Sequence, residues 1–86
     1  MVTIELYGVA RLRAGREVIE LDARSLGEAL LGLGATCPVL EPSIVAGGRL
    51  APGWLVALNG AQITADPETP LGDGDVVVLV SADAGG

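Results

Sequence analysis

The feature that most constrains the fold is an uninterrupted apolar stretch, Val-Val-Val-Leu-Val, at residues 76–80. A helix needs about 20 apolar residues to cross a membrane, so this stretch is too short for that role. Its β-branched residues favour a strand. A strand that is apolar on both sides is typical of the centre of a sheet. The stretch therefore predicts a central strand near the C-terminus, around which the other strands are arranged.

Two further strands are predicted in the first part of the chain. Residues 2–7 alternate between apolar and polar side chains, which is the period of a half-buried strand. Residues 17–21 alternate less strictly and predict a strand antiparallel to the first. The Arg-rich residues 9–15 are expected to connect the two. Because the strand at 76–80 is expected to be central, it should pair in parallel with the free side of the first strand, making the sheet mixed.

One amphipathic helix is predicted to begin after Ser25. The sequence Ser-Leu-Gly-Glu at 25–28 is a capping box, in which the Ser25 hydroxyl can accept from the N–H of residue 28. Glu28 can in turn reach back to the N–H of residue 25. Gly34 is expected to end the helix. The apolar residues in between have the spacing of one helix face, namely Leu26, Ala29, Leu30 and Leu33.

The second half of the chain predicts a hairpin. Residues 37–53 contain three prolines and are expected to be mainly loop, with room for a short helix at 38–43. Residues 55–58 predict a strand, and residues 62–63 its return. Asn59-Gly60 between them favours a type I′ turn, in which both positions need positive φ. The resulting order, β-β-α-β-β-β, is an α+β architecture. We expect six residues to be mostly buried, namely Ile4, Leu6, Leu30, Val56, Leu58 and Val78.

Charge and residue types limit the chemistry open to this chain. The 86 residues suffice for one domain, and the net charge of −6 opposes nucleic-acid binding, which needs clustered cations. All five basic residues are Arg, so the chain has neither an imidazole nor a lysine amine, and its single cysteine cannot form an internal disulfide. The N-terminus lacks a signal-peptide pattern. We expect a cytoplasmic protein that binds no metal, nucleic acid or membrane and acts with protein partners.

Four features have a structural interpretation beside a functional one. Asp73 and Asp75 supply too few oxygens for a cation site, which favours a solvated turn. Gly-Gly-Arg at 47–49 resembles a phosphate loop but lacks a strand-to-helix context. Cys37 has no catalytic partner in a chain without histidine. Trp54 is interpreted as a packing residue or as part of a partner surface.

Three segments in a fixed order carry a resemblance to a known family. They are Val-Ala-Leu-Asn-Gly at 56–60, Thr-Pro-Leu-Gly-Asp-Gly-Asp-Val at 69–76, and the final Gly85-Gly86. Together they resemble the MoaD/ThiS family of ubiquitin-like sulfur carriers over the whole chain. The length is closer to MoaD, the small subunit of molybdopterin synthase, than to the shorter ThiS, the carrier of thiazole synthesis. Residues 81–84, Ser-Ala-Asp-Ala, depart from typical MoaD tails in lacking proline.

The resemblance implies a fold and a site. The fold would be a β-grasp domain at residues 1–80, with about five strands covered by one main helix, followed by a flexible tail at 81–86. The reacting group would be the carboxylate of Gly86, with Gly85 beside it, because glycine has no Cβ to obstruct a narrow channel. The carrier would bind no cofactor. A ubiquitin-activating-type adenylyltransferase would use ATP to adenylate Gly86, and the resulting thiocarboxylate would serve a sulfur-accepting synthase large subunit. The chain would thus be a carrier and not an enzyme.

The resemblance leaves the final sulfur acceptor open. Molybdopterin, in molybdenum cofactor biosynthesis, is the first expectation, and thiamine, cysteine or another metabolite is the alternative. A non-covalent β-grasp interaction module and a protein modifier are alternatives of a different kind. We also expect exposed apolar residues on the sheet face away from the helix, leading toward the tail, because a contiguous apolar patch on a small protein marks an interaction site.

Overall fold

A computed structural model of the protein describes residues 1–81. β7 ends at Ser81, the first residue of the predicted tail. The elements in chain order are β1 (Val2–Leu6), α1 (Gly8–Ala14), β2 (Val18–Leu21), α2 (Leu26–Thr36), a 3₁₀ helix (Pro38–Leu40), β3 (Val45–Ala46), β4 (Arg49–Leu50), β5 (Trp54–Leu58), β6 (Gln62–Thr64) and β7 (Val76–Ser81).

Five of the strands form one mixed sheet in the order β2-β1-β7-β5-β6. β1 and β7 are parallel, with Ile4 opposite Val77 and Leu6 opposite Leu79, and the other neighbouring strands are antiparallel. β7 therefore lies at the centre, as its apolar sequence predicts. The α+β class, the mixed sheet and the pairing of the first and last strands are confirmed, and with α2 packed on one side the arrangement is the β-grasp fold.

The core lies between α2 and one face of the sheet. Five of the six residues predicted to be mostly buried belong to it, namely Ile4, Leu6, Leu30, Val56 and Leu58. The sixth, Val78, is only partly exposed but lies on the other face of the sheet, and the core residues of β7 are Val77 and Leu79. A run of apolar residues contains no alternation that fixes which residues face the helix. The register with β1 fixes it instead.

The Arg-rich connection predicted at 9–15 is wrong, because most of it folds as the helix α1. Ala10 is fully buried, and the C-cap of the helix is Gly15, whose φ of 69° is left-handed and whose N–H donates to the Arg11 carbonyl. Tyr7 precedes the helix without a side-chain cap. A helix of seven residues with one buried alanine shows too little apolar periodicity to be predicted.

The start of α2 is confirmed and its predicted end is wrong. The Glu28 N–H donates to the Ser25 Oγ at 3.2 Å, as in a capping box, but the Glu28 carboxylate accepts from the Arg24 N–H, at 2.9 Å, and not from residue 25. The helix passes through Gly34 and ends at Thr36, with Cys37 as its C-cap. Gly34 is buried, and a Cβ there would collide with the Glu41 carboxylate. Gly34 is therefore an interior residue of the helix and not its end.

Two hairpins complete the fold. The predicted turn between β5 and β6 is confirmed, since Asn59 and Gly60 have φ of 53° and 69° and the Ala61 N–H donates to the Leu58 carbonyl at 3.0 Å. The hairpin of β3 and β4 was not predicted. Its turn is Gly47-Gly48, with φ of 58° and 79°. This turn joins two strands, so residues 47–49 do not have the geometry of a phosphate loop.

Candidate functional site

The predicted reacting residues, Gly85 and Gly86, lie outside the described residues. The structure does describe the strand from which they follow. β7 ends at Ser81, which is paired with Trp54 at the start of β5. On the other side of β7, Leu79 is opposite Leu6, immediately before Tyr7 and α1. We call this end of the molecule, around Tyr7, Trp54 and Ser81, the β7 end.

The sheet face away from α2, which we call the open face, carries a contiguous apolar band. Leu55 is paired with Val80, and Ala57 is paired with both Val78 and Ile63. The first four of these residues are half-buried, and Ile63 is 61% exposed. The prediction of exposed apolar residues on this face, leading toward the tail, is confirmed, because the band ends one residue before Ser81.

The border of the open face along β1 and β2 is polar. Glu5 is paired with Val18, and the Tyr7 hydroxyl donates to the Glu5 carboxylate at 2.9 Å. This hydrogen bond, reinforced by the negative charge of Glu5, raises the pKa of Tyr7 above its ordinary value. Tyr7 therefore stays neutral at physiological pH and serves as an aromatic surface, not as an acid or base.

A cleft of about 530 Å³ opens at the β7 end. Tyr7, Val9, Trp54, Leu79 and Val80 line it. Trp54 also packs against the core, which confirms its interpretation as a packing residue, whereas its part in a partner surface stays a prediction. The cleft was not predicted from the sequence, although one signal was present: the chain has only two aromatic residues, and both of them lie here.

The segment that follows Tyr7 beside this cleft is rich in arginine. Residues 8–16, which include α1, contain three of the five Arg residues and no acidic residue. Arg11 forms an ion pair with Glu17, and the Arg13 guanidinium donates to the Ser43 Oγ at 2.6 Å. Glu17 lines the same two depressions as Arg11, and Glu5 lines one of them, so opposite charges meet in this region.

The residues that carry the resemblance at 59 and 75 form a hydrogen-bonded clamp. Asp75 Oδ2 accepts from the Gly72 N–H at 2.7 Å, and Asp75 Oδ1 accepts from the Asn59 side-chain amide at 3.0 Å. Asn59 Oδ1 accepts from the Val76 N–H at 2.8 Å. The Gly72 N–H, followed by the Asn59 amide, lowers the pKa of Asp75. The Asn59–Asp75 clamp thus fixes the start of β7, a structural role that the sequence motif alone did not reveal.

The two aspartates of this loop do not converge on one point. Asp73 pairs with the N-terminal ammonium group of Met1, whereas Asp75 belongs to the clamp. Residues 1–81 contain no group of three or more histidine, cysteine or acidic side chains placed to hold a metal ion. The arrangement is that of a hydrogen-bonded turn.

Cys37 is a structural residue. It is 5% exposed at the C-cap of α2, so its thiol is part of the core.

Within the described part of the chain, none of the helices combines the length and the apolar character that a membrane span requires.

Comparisons with known proteins agree with this arrangement. The ThiS family model matches residues 4–86. No curated protein matches the sequence at the significance required. Among solved structures, SAMP1 from Haloferax volcanii is 25% identical with a TM-score of 0.81, over 99% of this chain and 98% of that one.

Two other structures share the fold at lower identity. The BexX/CysO complex of Amycolatopsis orientalis contains a chain that is 20% identical, with a TM-score of 0.82 and full coverage of both chains. A putative molybdopterin converting factor, subunit 1, from Pyrococcus furiosus is 22% identical, with a TM-score of 0.70, over 93% of this chain and 94% of that one. Because the family match spans nearly the whole sequence and the sheet and helix have the same arrangement, the chain belongs to the ThiS family of ubiquitin-like sulfur carriers.

Proposed function

We propose that this protein carries sulfur as a thiocarboxylate on Gly86 and is itself a cosubstrate and not an enzyme. The observation that supports this most is that the family match extends to residue 86, so Gly85 and Gly86 lie within it. The position of the cleft and the apolar band beside the end of β7 also supports the proposal. A partner that binds there is close to the residues that follow Ser81.

The proposed chemistry has two steps, both catalysed by an adenylyltransferase of the ubiquitin-activating type. A carboxylate oxygen of Gly86 attacks the α-phosphorus of ATP, and pyrophosphate leaves. A sulfur nucleophile supplied as sulfide or an enzyme persulfide then attacks the acyl carbon, and AMP leaves with the bonding electrons. With a persulfide donor, a reducing thiol cleaves the remaining S–S bond. The carrier binds no cofactor and contributes an unhindered glycine carbonyl.

The proposed site of action is the cytoplasm, where ATP is available, with no part for nucleic acid or a membrane. The activating enzyme would cover the open face, because that face offers apolar area for burial. A synthase large subunit that accepts the sulfur would bind afterwards. In one of the similar structures, the CysO chain is seen in a complex with BexX.

For the final acceptor, we propose a pterin precursor of molybdopterin. The chain length supports this, as does the similarity to the putative molybdopterin converting factor from Pyrococcus furiosus. Cysteine synthesis and thiamine synthesis are the competing destinations. Protein modification is a second candidate function, because the small archaeal modifier protein SAMP1 is 25% identical over almost the whole chain. The chain has no lysine, so a modifier of this sequence could not be extended through lysine side chains of its own.

Intact-protein mass spectrometry tests the carrier function. The chain is first shown to end at Gly86 and is then incubated with ATP, sulfide and the adenylyltransferase of the same organism. We expect an ATP-dependent mass increase that corresponds to replacement of one oxygen by sulfur. Alkylation of the thiocarboxylate followed by hydrolysis should return the protein to its original mass. An unchanged mass with an enzyme that is active on its other carriers would contradict the proposal.

Transfer assays test the acceptor. The thiocarboxylated protein is offered, in separate reactions, to the molybdopterin, thiazole and cysteine synthesis enzymes of the organism. We expect sulfur to appear in the pterin product. Transfer to a different product would overturn the choice of pathway. Formation of an isopeptide bond to a lysine of another protein would instead favour the modifier function.

A further inference from the structure

Among residues 1–81, the last two residues of β7 pair with a neighbouring strand on one side only. The pairing of β7 with β1 ends at Leu79, because β1 ends opposite it and the chain continues into α1. Val80 and Ser81 are paired with β5, and the last of these pairs is Ser81 with Trp54. The start of β5 therefore determines where β7 leaves the sheet.

A tight turn precedes β5 at the point where this pairing ends. Pro52 and Gly53 are its central residues, and the Trp54 N–H closes it by donating to the Ala51 carbonyl at 3.2 Å. The φ of Gly53 is 88°, which suits the third position of a type II turn, and proline is favoured at the second position. The sequence at 51–54 is thus suited to a turn and poorly suited to an extended strand.

The alternation of hydrogen bonds shows which contact this turn prevents. The Asn59 N–H donates to the β7 carbonyl opposite it at 2.8 Å, so this position is a hydrogen-bonded pair of the antiparallel ladder. Such pairs recur at every second position, and in the register of β5 with β7 the last of them is Leu55 with Val80. The next pair along would join Gly53 to Ala82. With a left-handed φ, Gly53 does not have the extended backbone that this pair requires.

We propose that the Pro52-Gly53 turn is a positioning element, which stops the pairing of β5 with β7 at Ser81 and thereby sets how far Gly86 reaches from the folded domain. Five residues follow Ser81, and fully extended they span at most about 17 Å. A further residue paired with β5 would be fixed in the plane of the sheet, and the length left to enter a partner's active site would fall by about 3.4 Å. The inference rests on the proposed function in taking Gly86 as the reacting residue.

Substitution of Gly53 tests the turn as a stop. A left-handed φ is strongly disfavoured for a β-branched residue, and valine favours a strand, so Gly53→Val should extend β5 and pair it with Ala82. Gly53→Asn is the matched control, because asparagine also adds a side chain but is accepted at the third position of a type II turn. Thermal melts of both variants establish that they are folded.

Amide hydrogen exchange measures whether the pairing has lengthened. In the added pair the Ala82 N–H would donate to β5, whereas the Asp83 N–H would point away from it. We expect exchange at Ala82 to be slowed about tenfold or more in Gly53→Val, with Asp83 unchanged and with Gly53→Asn similar to the parent. Equal exchange of Ala82 in the three folded proteins would overturn the proposal.

The kinetics of thiocarboxylation measure the consequence for Gly86. We expect Gly53→Val to lower kcat by roughly 100-fold, because the carboxylate no longer reaches the reacting position. The KM for the carrier should change little, since the open face is unaltered, and Gly53→Asn should resemble the parent in both constants. A turn that serves only stability would lower the melting temperature and leave kcat unchanged, and this result would overturn the proposal.

Changes in chain length after Ser81 separate reach from other effects of the substitution. Insertion of one glycine between Ala84 and Gly85 replaces the length lost to the added pair, so it should restore most of the kcat of Gly53→Val. Failure of this rescue would overturn the proposal. Deletion of Ala82 with the turn intact tests the same requirement if Gly53→Val does not fold. This deletion should also lower kcat by roughly 100-fold, and full activity would overturn the proposal.

These outcomes can be separated from those of the proposed function. Without any thiocarboxylation of the parent chain, the carrier function fails, whereas exchange at Ala82 still reports whether the turn stops the pairing. With normal thiocarboxylation of Gly53→Val despite slowed exchange at Ala82, the carrier function stands and the positioning role of the turn fails.

Discussion

Asn59 and Asp75 illustrate how residues of a family motif can act entirely through the fold. Both lie near Val76, the first residue of β7, at the opposite end of the sheet from Ser81 and the proposed chemistry. Asn59 satisfies the Val76 N–H, and Asp75 satisfies the Gly72 N–H. Together they join the β5–β6 turn to the loop that precedes the central strand. The motif residues Asn59 and Asp75 therefore fix the position at which β7 begins.

Substitution of Asp75 predicts a pH-dependent loss of stability. An amide has one oxygen, so Asp75→Asn cannot accept from both Asn59 and Gly72, and the melting temperature at pH 7 should fall by a few degrees. Because the folded pKa of Asp75 is lowered, the contribution of its carboxylate is present above the unfolded value of about 3.9. It is lost as the pH falls through the folded pKa. The difference between parent and variant should therefore shrink in strong acid.

Thermal melts from pH 7 to pH 2 measure this effect. Asp22→Asn provides the control, since Asp22 is exposed and makes no side-chain hydrogen bond in the described structure. It should melt close to the parent at neutral pH. A destabilisation of Asp75→Asn that stays constant down to pH 2 would show that the ionised carboxylate is not responsible.

At the scale of elements, β7 shows which part of a strand can be predicted from its sequence. Its apolar run predicts a central position, but its side-chain orientation depends on the register with β1, where Ile4 is opposite Val77. As a result, Val77 is 1% exposed and Val78 lies on the half-buried open face. Two adjacent residues of the same type thus have different environments.

Alanine substitutions at these two positions test the orientation. Val77→Ala removes two buried carbon atoms and leaves space between α2 and the sheet, so it should lower the free energy of unfolding by about 2 kcal/mol. Val78→Ala should lower it by less than about 1 kcal/mol, because part of the Val78 side chain is already in contact with water. Urea unfolding measures both values under the same conditions. Equal losses, or a larger loss for Val78→Ala, would contradict the orientation of β7.

The other elements show the same difference between local sequence patterns and contacts made by distant segments. Patterns contained within one element, such as the alternation in β1 and the capping motif of α2, were sufficient to predict that element. Features that depend on contacts between distant segments could not be predicted in this way. Gly34 has the appearance of a helix end, but it is buried and the helix continues past it to Thr36. α1 and the β3–β4 hairpin are too short to show a period and are stabilised by packing against the rest of the fold.

At the scale of the whole molecule, stability and proposed chemistry reside in different parts of the chain. The hydrophobic core ends with Leu79, and its members surround α2 and the covered face of the sheet. The open face and the cleft border the end of β7, from which the last residues follow. The candidate surface could be predicted in part from the sequence, since the apolar band was expected. The cleft could not, because it forms only when β1, α1, β5 and β7 meet.

This separation leads to a prediction for Gly86. Its deletion should leave the melting temperature nearly unchanged, because the core of the described residues ends at Leu79 and a glycine has no side chain to add to it. The same deletion should abolish thiocarboxylation, since the reacting carboxylate would be withdrawn by about 3.5 Å, and small displacements of reacting atoms can lower a rate by roughly 100-fold. Gly86→Ala keeps the chain length and adds one methyl group beside the acyl carbon, so it should be slower than the parent but active. Thermal melts and intact-mass assays of the three proteins compare these effects. Full activity of the deletion would refute the proposed role of Gly86.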